Sequence, residues 1–255
     1  MLVNIAILIF GLIIGSFLNV LIWRLPRGES IVYPASHCTK CKARICWYDN
    51  IPLLSYLLLG GKCRHCRAPI PLRYFVVEAL AGILFFLVSL PEGAVYGNAL
   101  YFNLFFISGL LVAAFADWES GLIPDEIIYL GIPVSLIYQA LNGKIVEATL
   151  GCVLGFALLL MVQKLGEWIY KKEALGGGDI KLAAFFGAYL TAPYLLLALL
   201  LGYLIGAAEA LILLALKKKK MGDYIPFGPA LCAGALIALF FGRFILDLYL
   251  KSLAL

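Results

Sequence analysis

Eight apolar stretches, joined by short polar connections and one longer polar insert, make up most of this chain. They run at residues 2 to 23, 74 to 90, 99 to 116, 126 to 141, 148 to 170, 180 to 192, 193 to 216 and 228 to 250. Most approach the ~20 residues that a helix needs to cross the hydrocarbon core of a bilayer. A soluble domain of 255 residues could not cover its surface with 64% hydrophobic and 14% charged residues. The expected fold is therefore an all-α polytopic membrane protein with about eight transmembrane helices. The first run has no basic residue before it and no small-x-small site after it, so a retained span is expected rather than a removed signal peptide.

Lysine and arginine set the orientation. From Arg24 to Arg73 there are nine basic residues against only Glu29 and Asp49, which assigns that insert to the cytoplasm and the N-terminus to the outside. Counting spans from there, Asp117, Asp179 and the run Lys217 to Lys220 fall on the cytoplasmic side, whereas Lys144, Arg243 and Lys251 fall in or beyond the outer half. The net charge of +5 is thus a topology signal and not a nucleic-acid footprint, and the four lysines read as an anchor at the lipid surface. The predicted domains are a first transmembrane helix (1–23), a small cytoplasmic four-cysteine module (24–73) and a seven-helix membrane body (74–255).

Four of the seven cysteines form Cys38-x-x-Cys41 and Cys63-x-x-Cys66, with 21 residues between the pairs. This is the spacing of a zinc ribbon, a closed tetrahedral thiolate site with a structural role. About fifty residues rich in charge and turns bury little core, so metal binding would supply the folding free energy they lack. Four reduced, unligated thiols are the alternative, and disulfides are disfavoured in a cytoplasmic loop. His37 and His65 flank ligands and could replace one. Cys46, Cys152 and Cys232 read as ordinary apolar residues.

Asp117 closes the third span and Asp179 opens the sixth. Each alone reads as a helix cap or as a functional group, since an unpaired charge at such a place is expensive. Together, on one face of the membrane, they can share a proton and activate water. Helix-end dipoles suggest Asp179 as base and Asp117 as acid. Gly176, Gly177 and Gly178 offer backbone freedom and remove side chains beside the carboxylate, so that an extended substrate can approach. Lys181 reads either as partner of a carboxylate or substrate, or as an interfacial anchor. Asp125, after Pro124, reads as an N-cap or as a substrate-binding or catalytic group. Glu78 is expected to pair with Arg73, and Glu209 has no evident role. Other hydrolytic plans fail on inventory: no His-Glu-x-x-His exists, both histidines lie in the cysteine insert, and no dinucleotide-type Gly-x-Gly-x-x-Gly follows a strand.

Several motifs in order carry a resemblance: Gly15-Ser16-Phe17-Leu18-Asn19-Val20, Arg24-Leu25-Pro26, both cysteine pairs, Trp47-Tyr48-Asp49-Asn50-Ile51-Pro52, Arg73-Tyr74 with Glu78, Asp117 with Ile123-Pro124-Asp125, Gly176-Gly177-Gly178-Asp179-Ile180-Lys181-Leu182, and Pro226-Phe227-Gly228-Pro229. Over nearly its whole length the chain resembles bacterial type IV prepilin peptidases. Phe75 departs from the proline usual in that family after Arg-Tyr. The resemblance implies an aspartic endopeptidase of the Gly-x-Gly-Asp type in the bacterial inner membrane, with Asp117 and Asp179 catalytic. Its substrates would be prepilins and pseudopilins with a short basic leader, cut after a glycine. Members typically also methylate the new N-terminus with S-adenosylmethionine, and the cysteine-bearing insert is the natural host for that activity. The alternatives are a related protease without methyl transfer, a proton-coupled transporter and a membrane assembly factor. Acids clustered at one side argue against the transporter.

Overall fold

The computed structural model describes residues 1–90, 97–171, 175–220 and 224–253. Its regular structure is helical: α1 (Leu2–Arg24), α2 (Leu54–Leu58), α3 (Arg73–Val88), α4 (Asn98–Ser120), α5 (Asp125–Leu141), α6 (Ile145–Tyr170), α7 (Gly177–Ala215) and α8 (Gly228–Leu253). Among the described residues only two isolated β-bridges occur, both in the cysteine module. Helix ends follow the sequence punctuation. After α1 a short 3-10 turn with Pro26 stops at Gly28, whose φ of 65° is the left-handed conformation that favours glycine. After α4, Gly121 has φ 67° and its N–H closes back on the Asp117 carbonyl.

Among the described residues five helices are long and apolar enough to span a membrane: α1, α4, α6, α7 and α8. The expected runs in α3 and α5 do form helices, of 16 and 17 residues. The runs expected at 180 to 192 and 193 to 216 lie on α7, which breaks at Thr191 with φ 65° and ψ 172°. The break falls two residues before Pro193 because the proline ring excludes a normal helical turn ahead of it.

The chain divides into two compact units, Met1–Val112 and Ala113–Leu255. In the first, α1 packs along α3. The contact is backbone-close: a Cβ at Gly15 would lie 2.7 Å from the Glu78 Cα. Leu18, Ile22, Val77, Ala81 and Phe85 form the buried seam. In the second unit, α7 packs against α5, α6 and α8. Gly151 and Gly155, one turn apart on α6, face the carbonyls of Gly187 and Ala183 on α7. Small residues four apart allow this approach, and in a bilayer such packing replaces the missing hydrophobic drive between helices.

Candidate active site and metal cluster

The second unit brings Asp117 and Asp179 into one buried site. Asp117, in the last turn of α4, is 4% exposed, and Asp179, in the first turn of α7, is 7% exposed. Their charges interact. Tyr224 registers both: burial raises its pKa first, and the negative charges of Asp117 and Asp179 raise it further. Its hydroxyl lies 3.5 Å from Asp117 Oδ1, and the Gly228 N–H donates to Asp117 Oδ2 at 2.8 Å. The N-terminus of α8 therefore points at Asp117, and a Cβ at Gly228 would come 2.7 Å from Oδ2. Asp179 Oδ1 and the Tyr203 hydroxyl are both buried without a hydrogen-bond partner, and Tyr203 feels the Asp179 charge.

Three expectations need correction here. Helix-end dipoles do not separate the two aspartates, because Asp117 receives an N-terminal helix N–H just as Asp179 begins a helix. Gly176, Gly177 and Gly178 do not supply unusual φ angles: Gly176 has φ −68°, and none of the three is left-handed. Their use is space. A Cβ at Gly176 would sit 3.3 Å from Asp179 Oδ2, one at Gly178 would meet Ile123 at 3.2 Å, and Gly177 faces open space. Asp125 is not the N-cap of α5; Pro124 takes that position.

Asp125 instead accepts two hydrogen bonds from Lys181 Nζ, at 2.7 and 2.8 Å, and a longer one from the Tyr129 hydroxyl at 3.5 Å. Of the two readings of Lys181, the carboxylate partner is the one realised. Both side chains are more than a third exposed, so the pair ties α5 to the start of α7 with little net energy. Lys181→Met is expected to change the unfolding free energy by less than about 1 kcal/mol, as read by denaturant titration of the detergent-solubilised protein.

In the first unit the sulfur atoms of Cys38, Cys41, Cys63 and Cys66 lie within 4.8 Å of one another, a donor set able to hold a metal ion. The two pairs are built alike. The Cys38 N–H bonds the Ala43 carbonyl and the Cys63 N–H bonds that of Ala68, while Lys42 and Arg67, each just after its second cysteine, take φ of 59° and 56°. This turn aims backbone N–H groups at the first sulfur of each pair. The Cys41 N–H leads in lowering the Cys38 thiol to about 6, and the Cys66 N–H leads in lowering Cys63. Metal ions bind thiolates, so this favours ligation. His37 Nδ1 sits 3.0 Å from the Ala35 carbonyl and does not join the cluster. Arg64 grips Asp49 through Nε and Nη2 and holds its carboxyl below the usual range, which fixes the Trp47-to-Pro52 segment beside the second pair. Cys232 is buried and Cys152 partly so, as apolar residues would be, whereas Cys46 is exposed.

Glu78 corrects another expectation. Its Oε2 accepts the Leu53 N–H at 2.8 Å and its carboxylate also takes the Ser16 hydroxyl, while the Arg73 guanidinium lies 4.6 Å over the Tyr74 ring. Glu209, on α7, is partly exposed.

Comparison with known proteins agrees with this division. The profile of the bacterial peptidase A24 N-terminal domain matches residues 9–91, and that of the type IV leader peptidase family matches residues 104–211. A prepilin leader peptidase/N-methyltransferase of Pseudomonas putida is 33% identical over 92% of this chain and 89% of its own length. The chain belongs to the type IV leader peptidase family. Relatives of the same description from Pseudomonas aeruginosa and Myxococcus xanthus are 34% and 38% identical over 96% and 81% of the chain. The match spans 92% of the former and 62% of the latter. No solved structure matches the chain significantly. At the aspartates, the residues that sequence reasoning left without a role are Gly228, Tyr224 and Tyr203. Pro226-Phe227-Gly228-Pro229 was visible as a motif, but only folding reveals that its glycine faces a carboxylate.

Proposed function

We propose that this family member is a bacterial inner-membrane enzyme that removes the short basic leader of type IV prepilins and pseudopilins and then methylates the new N-terminus with S-adenosylmethionine. Its peptidase site is Asp117 with Asp179, facing the cytoplasm. The observation that carries the reading is the meeting of two buried carboxylates 62 positions apart in sequence (179 − 117). Relatives named for leader cleavage and N-methylation support the pairing of activities.

In this reading the dyad holds one proton. The unprotonated carboxylate takes a proton from water as its oxygen adds to the scissile carbonyl, and the other carboxyl protonates the leaving nitrogen as the C–N bond breaks. Gly228 N–H and Tyr224 orient Asp117. The space left by Gly176 and Gly177 admits an unwound peptide, and the unpartnered Asp179 Oδ1 is the atom best placed to engage water. Lys181 and Asp125 support the site by holding the start of α7. The four cysteines would hold one zinc ion, which supplies a scaffold and no chemistry at the peptide bond.

The test is cleavage of a model prepilin by purified enzyme, with product mass measured before and after addition of S-adenosylmethionine. Loss of the leader followed by a gain of one methyl group is expected; an uncut substrate would refute the peptidase reading. A finer expectation concerns Gly228→Ala. The added methyl must displace the Asp117 carboxylate, and a displacement of ~1 Å costs on the order of 10²-fold in rate. Leader cleavage by this variant, assayed beside its thermal unfolding, should fall by that amount with the fold retained.

A further inference from the structure

The break in α7 carries a second feature of the membrane body, away from the aspartates. Thr191 sits there at φ 65° and ψ 172°, a conformation that glycine adopts and in which a β-branched side chain is strained. The residue is 8% exposed, and its hydroxyl makes no hydrogen bond among the described residues. Gln139, near the end of α5, is 7% exposed; its Nε2 donates to the Tyr189 carbonyl, while its Oε1 has no partner among the described residues. Both side chains line a cavity of about 270 Å³, whose wall also holds Tyr138, Asn142, Tyr194 and Lys144. No carboxylate lines this cavity, and Lys144 forms no ion pair among the described residues.

Nothing inside the protein satisfies the Thr191 hydroxyl, whereas an acceptor on a ligand would. An ammonium beside hydroxyl and amide groups, with no carboxylate among them, selects an anion that offers several oxygens. The volume lies below the ~300 Å³ at which sites for drug-sized ligands begin, so the cavity takes a small group such as a phosphate ester with a short alcohol. Helix length identifies where that group comes from. The first arm of α7, Gly177 to Leu190, rises about 20 Å and the 17 residues of α5 about 26 Å, at 1.5 Å per residue. Both fall short of the ~30 Å hydrocarbon core. A bilayer accommodates short spans by thinning, which brings the headgroups of the leaflet opposite Asp179 to the level of Thr191. Tyr138 and Tyr194 are amphipathic rings of the kind found at that level. We infer that this cavity binds the phosphate of a phospholipid headgroup, with Lys144 as its counter-charge and the Thr191 hydroxyl as a hydrogen-bond donor.

The experiment is native mass spectrometry of the full-length protein in detergent, stripped of lipid and titrated with phosphatidylglycerol or with diacylglycerol of the same chains, which lacks the phosphate. The native protein should bind phosphatidylglycerol more tightly by about tenfold. Thr191→Gly removes the hydroxyl and suits the backbone, so the fold should be retained, with thermal unfolding as the control. Loss of a hydrogen bond to a charged acceptor should weaken phosphatidylglycerol binding about tenfold. Lys144→Gln, at an exposed position, should weaken it by a similar factor. Equal binding of the two lipids by the native protein overturns the site, as does phosphatidylglycerol binding that is the same in the native protein and both variants. Glycerol phosphate, the free headgroup, separates the two sources of phosphate. At a concentration equal to that of the lipid it should leave the lipid bound, and displacement of the lipid at that concentration overturns the membrane as the source.

Discussion

Asp117→Asn and Asp179→Asn are each expected to lower leader cleavage by about 10²- to 10⁴-fold, the range that positioned acid or base groups contribute. Asparagine keeps the size of the side chain and, at position 117, an oxygen for the Gly228 N–H, so the site should remain assembled. What disappears is the ability to exchange a proton. Because the two carboxyls act as a unit, the double variant should be scarcely worse than either single one. The measurement is initial-rate cleavage of a model prepilin in detergent, with thermal unfolding as control. More than about a tenth of native activity in either single variant is incompatible with a shared role in proton transfer.

Removal of the metal is expected to unfold the cysteine module. From Leu25 to Leu72 only Ser55 is buried, so no hydrophobic core holds this segment. The free energy must come from elsewhere, and structural zinc supplies on the order of 10 kcal/mol in comparably small modules. Purified protein should contain one zinc per chain. Cys38→Ser or Cys63→Ser should lose it and expose residues 25–72 to limited proteolysis, with α1 and α3 still protected. Protein that contains no metal yet resists proteolysis in the module would falsify the zinc assignment.

The two sites differ in how far residue order exposed them. The cysteine site was legible because its determinants are local: each pair makes its own turn, with Lys42 and Arg67 in the same left-handed conformation. The aspartates were legible as types, since a carboxylate at the end of an apolar run is conspicuous, but their surroundings were not. The donor to Asp117 comes from Gly228, 111 positions later. Glu78 was misassigned to Arg73 because neighbours in sequence were weighed, whereas its partners lie in α1 and beside α2.

Hydrophobic run length determined without coordinates that this is a helical membrane protein, since burying backbone in lipid leaves the chain no other local solution. Cysteine spacing likewise announced a metal module, and glycine and proline announced most helix ends. Tertiary packing alone decided that α8 presents its N-terminus to Asp117, that Lys181 spends its charge on Asp125, and that a cavity opens between α5 and the break in α7. Those outcomes depend on which backbones approach closely, and such approach is a property of pairs of helices that no single segment encodes.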